Sequence, residues 1–278
     1  MPSTTSTPTR RSTEEGPPAA SGANRESALV LVKAVPRPSK TYQETVCCAG
    51  VTASGEWRRL YPVRFRQLAQ GQQFARWQWV GYAWRQARGD GRRESRRIEE
   101  DTIEVGLRQP ERDRLPLLLP LLRGSTREAA ERGESLALIE SRELRLRARA
   151  KKPDFIEAER RAYRDAARQG SLLDNTLAEL EPCPYAVQIG FSDQDGVRHA
   201  PQCQDWETTA AFFNIRRHKS DAEIVAHLER EYTEPRPGRR VLLAMGNVAR
   251  RPRQWLLLAV LRVPEVRERG SGQLLLGL

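Results

Sequence analysis

The chain of 278 residues contains only three histidines, His199, His218 and His227, and only five lysines, at positions 33, 40, 151, 152 and 219. A hydrolase built on a Ser-His-Asp or Cys-His arrangement would have to use one of those histidines. His227 falls in an amphipathic helical pattern and His218 in the basic run Arg216-Arg217-His218-Lys219, so both read as surface residues. The four cysteines, Cys47, Cys48, Cys183 and Cys203, form no CxxC pair. Cys47 and Cys48 are adjacent on an expected strand, so they face opposite ways and cannot readily ligate one ion. Reduced, mostly buried thiols in a cytoplasmic protein are the expectation. Also missing are a P-loop, a GxGxxG fingerprint, an HExxH pair and a GxSxG elbow. No apolar run approaches the ~20 residues of a membrane helix, and the first residues lack the charged-then-apolar pattern of a signal peptide.

Positive charge is what the chain has in quantity. Lys and Arg number 47 against 36 Asp and Glu, a net charge of +11, and nearly all the bases are arginine. A GC-rich genome also produces arginine in place of lysine, but it does not produce an excess of bases over acids. The balance favours a polyanionic partner, such as DNA or RNA, or an anionic membrane surface.

Residues 1–26 are rich in Ser, Thr, Pro, Gly and Ala, with almost no large apolar side chain, and are expected to form a disordered tail carrying Arg10 and Arg11. Residues 27–108 carry four or five short β-rich runs: 28–32, 45–51, 56–61, 77–84 and, as an edge strand, 98–105. Ser54-Gly55 turns the second run into the third as a hairpin. So many short strands in so short a span point to a small closed or nearly closed barrel. Residues 109–181 read as an irregular, charged connector of mixed helix and strand. Its apolar run from Leu115 to Leu122 is twice interrupted by proline, which forbids a long helix. Ser125–Glu128 is a capping box, 135–139 and 144–149 are strand-like, and 153–169 reads as an exposed helix or a mobile connector ending at Gly170. Residues 182–278 read as an α+β unit. It has strands at 185–191, 241–245 and 255–263, the last two central, and helices opening at Asp205 and at a second capping box, Ser220–Glu223.

Two stretches carry chemistry. In ETVCCAGVTASGEWRRLYPVRFRQL, from Glu44 to Leu68, aromatics alternate with guanidinium groups, the pairing that suits phosphate backbones and unstacked bases. The candidate contacts are Trp57, Arg58, Arg59, Tyr61, Arg64, Arg66, Arg76 and Arg85. Arg92 and Arg93 join them from the Gly-containing basic loop 88–97, and Arg145 and Arg147 from a strand with one uniformly basic face. Aromatics at strand spacing also fill barrel cores, and more than half of Trp57, Tyr61, Phe65, Trp77, Trp79, Tyr82 and Trp84 are expected inside. The second stretch holds His199, Cys203, Asp205 and Glu207 within nine positions. This His/Cys/carboxylate cluster could hold a transition metal, or its carboxylate pair could hold magnesium for phosphodiester cleavage, with Asp205, Glu207 and His199 as the catalytic candidates. Alternatively, Asp205 caps a helix with Glu207 in its first turn.

The opening from Leu29 to Leu68 and the segment Cys203-Gln204-Asp205-Trp206-Glu207 ahead of a helix resemble an uncharacterised family of bacterial proteins over most of the chain. The CxAG…GxWxR start, Cys47 to Arg59 here, is also similar to dual-OB-domain proteins, which are implicated in bacterial conflict and mobile-element systems. The first resemblance implies no activity; the second implies a barrel and a nucleic-acid surface. The chain thus reads as α+β, with a small N-terminal OB-like β-barrel, an irregular charged middle and a C-terminal α+β unit. The leading expectation is a non-catalytic nucleic-acid-binding protein without a cofactor. The alternatives are a magnesium-dependent nuclease using Asp205 and Glu207, and a protein-interaction adaptor presenting an apolar patch at 115–122.

Overall fold

The computed structural model describes residues 24–39, 41–87, 89–141, 143–168 and 179–265. Most of the tail expected over 1–26, Arg10 and Arg11 with it, lies outside them, as do Arg88 and the helix end expected at Gly170. In chain order the N-terminal elements are β1 (Arg25–Lys33), a short hairpin of β2 (Arg37–Ser39) and β3 (Gln43–Thr45), β4 (Cys48–Val51), β5 (Trp57–Tyr61), β6 (Gln78–Gln86) and β7 (Ser95–Arg108). Five of these strands close into a ring in the order β1-β4-β5-β7-β6. The β5–β7 pair is parallel; every other neighbouring pair in the ring is antiparallel.

Two expectations are corrected here. The run 45–51 is not one strand, because the chain leaves the β2–β3 hairpin at Thr45 and enters the ring only at Cys48. The run 98–105 is not an edge: β7 sits between β5 and β6. Its charges reflect one solvated face, with Ile98 and Ile103 turned into the ring and Glu104 turned outward.

The rest of the chain adds α1 (Arg114–Leu118), β8 (Leu122–Arg123), α2 (Thr126–Glu131), β9 (Leu136–Glu140), β10 (Leu144–Ala150), α3 (Pro153–Arg168), β11 (Tyr185–Ser192), β12 (Arg198–His199), α4 (Trp206–Ile215), α5 (Asp221–Thr233), β13 (Arg239–Val248) and β14 (Arg251–Pro264). A four-stranded sheet runs β14-β13-β9-β8 and a three-stranded one β10-β11-β12. Residues 109–181 therefore supply strands to both sheets. The mixed α+β class holds throughout. Of the two expected central strands, β13 is central and β14 ends its sheet. The outer edge of β14 is covered: Gln204 N donates to Leu257 O at 2.8 Å and Val260 N to an Asp205 carboxylate oxygen at 3.4 Å.

The Ser220–Glu223 box is complete. At α2 only half of the box forms: Ser125 caps Glu128 N, whereas the Glu128 carboxylate accepts from Gly124 N at 2.7 Å. Pro116 and Pro120 keep α1 to a short helix followed by a single tight turn.

Three apolar layers hold these parts together. Ala28, Val30, Leu60, Val80, Tyr82 and Ile98 fill the ring. Alternate residues of the same strands, among them Leu29, Leu31, Val51, Trp57 and Trp79, point outward and pack on Leu136, Leu138, Leu242 and Ala244 of the four-stranded sheet. The opposite face of that sheet, with Ala137, Ile139, Leu243 and Met245, packs on α4, α5 and the β10–β11 sheet. Burial on both faces explains why β1, β9 and β13 read as continuous apolar runs without alternation. Among the described residues no helix is long and apolar enough to cross a membrane.

Candidate nucleic-acid interface

The outer face of β5 is shared. Its Trp57 end lies under the four-stranded sheet, buried with Val51 and Leu29. Its other end is open and forms one wall of a groove of about 410 Å³. Tyr42 from the β2–β3 hairpin and Tyr61 from the end of β5 line it, their rings edge to face at 6.1 Å. Opposite them stand Arg92, from the loop between β6 and β7, and Arg97 on β7, which is in register with Tyr61. Arg59 closes the floor towards the C-terminal half.

Charge in the groove is only partly balanced. Arg92 is clamped by Asp90, which accepts from Nε at 2.8 Å and from Nη2 at 2.7 Å. Burial opposes ionisation of Asp90, but hydrogen bonds from Arg92 and Ser95 hold its carboxyl down at about 2. Burial and then the neighbouring Arg92 lower Arg59 to about 10, with Glu94 at 3.6 Å acting the other way. Arg59 remains a cation at neutral pH, next to a second cation, with its Nη2 donating to Ser135 O at 2.8 Å. Arg97 is exposed and has no carboxylate partner among the described residues. A bound anion would relieve this crowding.

The other arginines expected as contacts divide into two groups. Arg58 pairs with Glu26 and Glu56, Arg64 with Glu100, Arg66 with Glu44, Arg76 with Asp205, and Arg85 with Glu99, all at 2.7–2.9 Å. Those guanidinium groups are already neutralised, and Arg76 is buried as well. Arg93, Arg145 and Arg147 are exposed without such partners among the described residues. On β10, Leu144 and Leu146 turn inward while Arg145, Arg147 and Arg149 are exposed, the first two lining a pocket with Arg198. Between them Gly190 and Ala200 leave a shallow floor. Tyr61 is the most exposed of the seven expected aromatics at 42%; Trp57, Trp77, Trp79 and Tyr82 are core, and Phe65 and Trp84 are half-buried.

His199, Asp205 and Glu207 do not converge. Asp205 is buried at the N-terminus of α4 and accepts from Glu207 N at 3.1 Å, from Arg76 Nη2 at 2.7 Å and from Val260 N, so both its oxygens are engaged. Glu207 lies 3.4 Å from Arg76 Nε. His199 belongs to the β10–β12 sheet, where it bonds Asp193 at 2.7 Å and stacks on Phe191. Burial pushes the Cys203 thiol up to about 12. Among the described residues no three His, Cys, Asp or Glu side chains gather as a metal site. The apolar run 115–122 is mostly interior: Leu115, Leu118 and Leu121 are buried, and Leu119 is exposed.

Tyr42 and Arg97 line the groove but are not among the contacts expected from the sequence. Arg97 lies in the basic run 88–97 but has no sequence mark separating it from its ion-paired neighbours, and Tyr42 joins the groove only through the side hairpin.

Residues 24–118 match a family described as Domain of unknown function (DUF8758), and residues 122–275 match a second described as Domain of unknown function (DUF8757). The matches meet between α1 and β8, close to where the ring gives way to the four-stranded sheet. No curated protein matches the chain. The second match spans more than half of the sequence, in keeping with the uncharacterised family expected from it, and the chain belongs to the DUF8757 family, with a DUF8758 domain ahead of it.

Proposed function

We propose that the protein binds single-stranded nucleic acid, without chemistry of its own, in the groove between Tyr42, Tyr61 and Arg97. The observation carrying this reading is where the groove sits within the ring. Counting only ring strands, the order is first, second, third, fifth, fourth and back to first, with the third parallel to the fifth. That is the Greek-key order of an OB-fold, whose oligonucleotide site lies on the face of its second and third strands between the first-to-second and fourth-to-fifth loops. The groove is built from those parts: β4 and β5, Tyr42 and Cys47 from the first loop, Asp90 and Arg92 from the other.

Chemistry agrees with place. Two tyrosine rings offer stacking surface, worth ~1–3 kcal/mol per base and indifferent to sequence. Unbalanced arginines offer phosphate contacts. Stacking on them requires an unpaired base, so the ligand is single-stranded. The basic β10 face, with Arg145 and Arg147, suits further backbone contacts outside the groove. For the nuclease alternative, Asp205 in its buried ion pair offers little support.

Fluorescence anisotropy with labelled single strands and duplexes of DNA and RNA, at low and moderate salt, tests the proposal. Tighter binding of the single strand, with an affinity that drops steeply as salt rises, is the expected result. Equal binding of duplex, or affinity independent of salt, would overturn it.

A further inference from the structure

The C-terminal half does more than cover the Trp57 end of the β5 face. It brings the tip of the β13–β14 hairpin to the border of the groove. Arg92 Nη1 donates to Asn247 O at 3.3 Å. A Cβ placed on Gly246 would stand 3.1 Å from Arg59 Nη2. Two arginines of the groove therefore abut consecutive residues of β13, and the hairpin tip begins immediately beyond.

That tip is strongly and openly cationic. Arg250, Arg251 and Arg253 are all exposed, and none has a carboxylate partner among the described residues. They contrast with Arg58, Arg64, Arg66, Arg85 and Arg92, each held by a carboxylate. The tip is also bent. Ladder pairing steps from Asn247–Trp255 to Val248–Arg251, so Pro252, Arg253 and Gln254 bulge against a single step of β13, and Asn247 Nδ2 donates to Pro252 O at 3.3 Å. A bulge re-aims the side chains it carries.

Resting on the nucleic-acid reading, we infer that the β13–β14 hairpin extends the binding track, so that a strand leaving the groove past Arg92 runs its phosphates along Arg250, Arg251 and Arg253. The sheet closes the other direction along β5, because Trp57 and Val51 are buried beneath it. The two halves of the chain then form one composite site, with bases read in the ring and backbone held by the hairpin.

Oligonucleotide length separates the two parts. A single strand of about five nucleotides stays within an OB-type groove, whereas one of about twenty-five exceeds the ~4–16 that such a groove takes. The variants are Arg250→Gln/Arg251→Gln/Arg253→Gln, the same triple change to lysine, and Tyr61→Ala in the groove. For the long strand, three lost phosphate contacts flatten the slope of log affinity against log salt by about 2, and affinity at low salt falls ~10-fold or more. The short strand is unaffected by the glutamine variant, lysine restores the long-strand slope, and Tyr61→Ala weakens both strands. Should the glutamine variant, folded by its melting curve, bind the long strand as wild type does while Tyr61→Ala weakens it, the extended track is wrong and the groove stands. If the wild-type protein binds neither strand, the groove reading fails and the track with it.

Discussion

Replacing Asp205 with alanine strikes the joint between the two halves of the molecule, and its cost follows from three contacts. The carboxylate caps α4 through Glu207 N, receives Val260 N from the edge of β14, and neutralises Arg76, itself buried. Burial works against the Arg76 charge, and Asp205 and then Glu207 more than offset it, so the guanidinium holds its proton more firmly than usual. Loss of an N-cap costs about 1 kcal/mol. Stranding a buried partner costs about 3–5 kcal/mol, reduced here because Glu207 remains 3.4 Å from Arg76. A net loss of about 3–4 kcal/mol is expected, which for a chain of this size lowers Tm by roughly 8–15 °C. The double change Asp205→Ala/Arg76→Ala should cost less than the sum of the two single changes, because the second removes the charge that the first strands. Differential scanning calorimetry on the four proteins of the cycle measures this. A Tm for Asp205→Ala within about 2 °C of wild type, or strict additivity, would refute the reasoning. It would also reopen the question of what Asp205 is for, since a carboxylate reserved for catalysis tends to be dispensable for stability.

Other predictions follow from single positions. A Cβ on Gly50 would stand 2.5 Å from Leu29 O, where β4 and β1 approach inside the closed ring, so Gly50→Ala should destabilise by about 1–3 kcal/mol in urea unfolding. Asp90 has a folded value of about 2, below its ordinary 3.8, so its contribution is present above pH 4 and disappears as pH falls through 2. Thermal melts of wild type and Asp90→Asn should therefore differ at pH 5 and converge near pH 2; a constant gap would contradict the Asp90 clamp on Arg92. The Cys203 thiol, pushed up to about 12, should resist a thiol reagent at pH 8 until denaturant is added.

How much of this was legible in the sequence depended on whether the controlling interaction was local. Strand periodicity and the Ser54-Gly55 turn announced a small strand-rich unit, and the alternation Leu144-Arg145-Leu146-Arg147 announced a sheet with one basic face. Helix caps were legible because their partners lie two or three residues away, as at Asp205 and Ser220. The interface was far less so. Arg58 looks like a ligand contact until Glu26, 32 residues earlier, is brought against it, and Arg85 until Glu99 is. No local pattern distinguishes a paired guanidinium from an open one. The same holds for the aromatics: Trp57 and Tyr61 lie on one face of one strand, yet the C-terminal sheet buries the first and leaves the second exposed. Charge also misleads at β7, where an exposed outer face reads as an exposed edge.

The central claim, that a single strand lies in the groove between Tyr42, Tyr61 and Arg97, is tested most directly by ultraviolet cross-linking. The protein would be irradiated with a labelled single strand, and the attached peptides mapped by mass spectrometry. The account predicts adducts at Tyr42 or Tyr61, lost when excess unlabelled single strand competes. Adducts confined to the β10 face around Arg145 and Arg147, with none at either tyrosine, would contradict it.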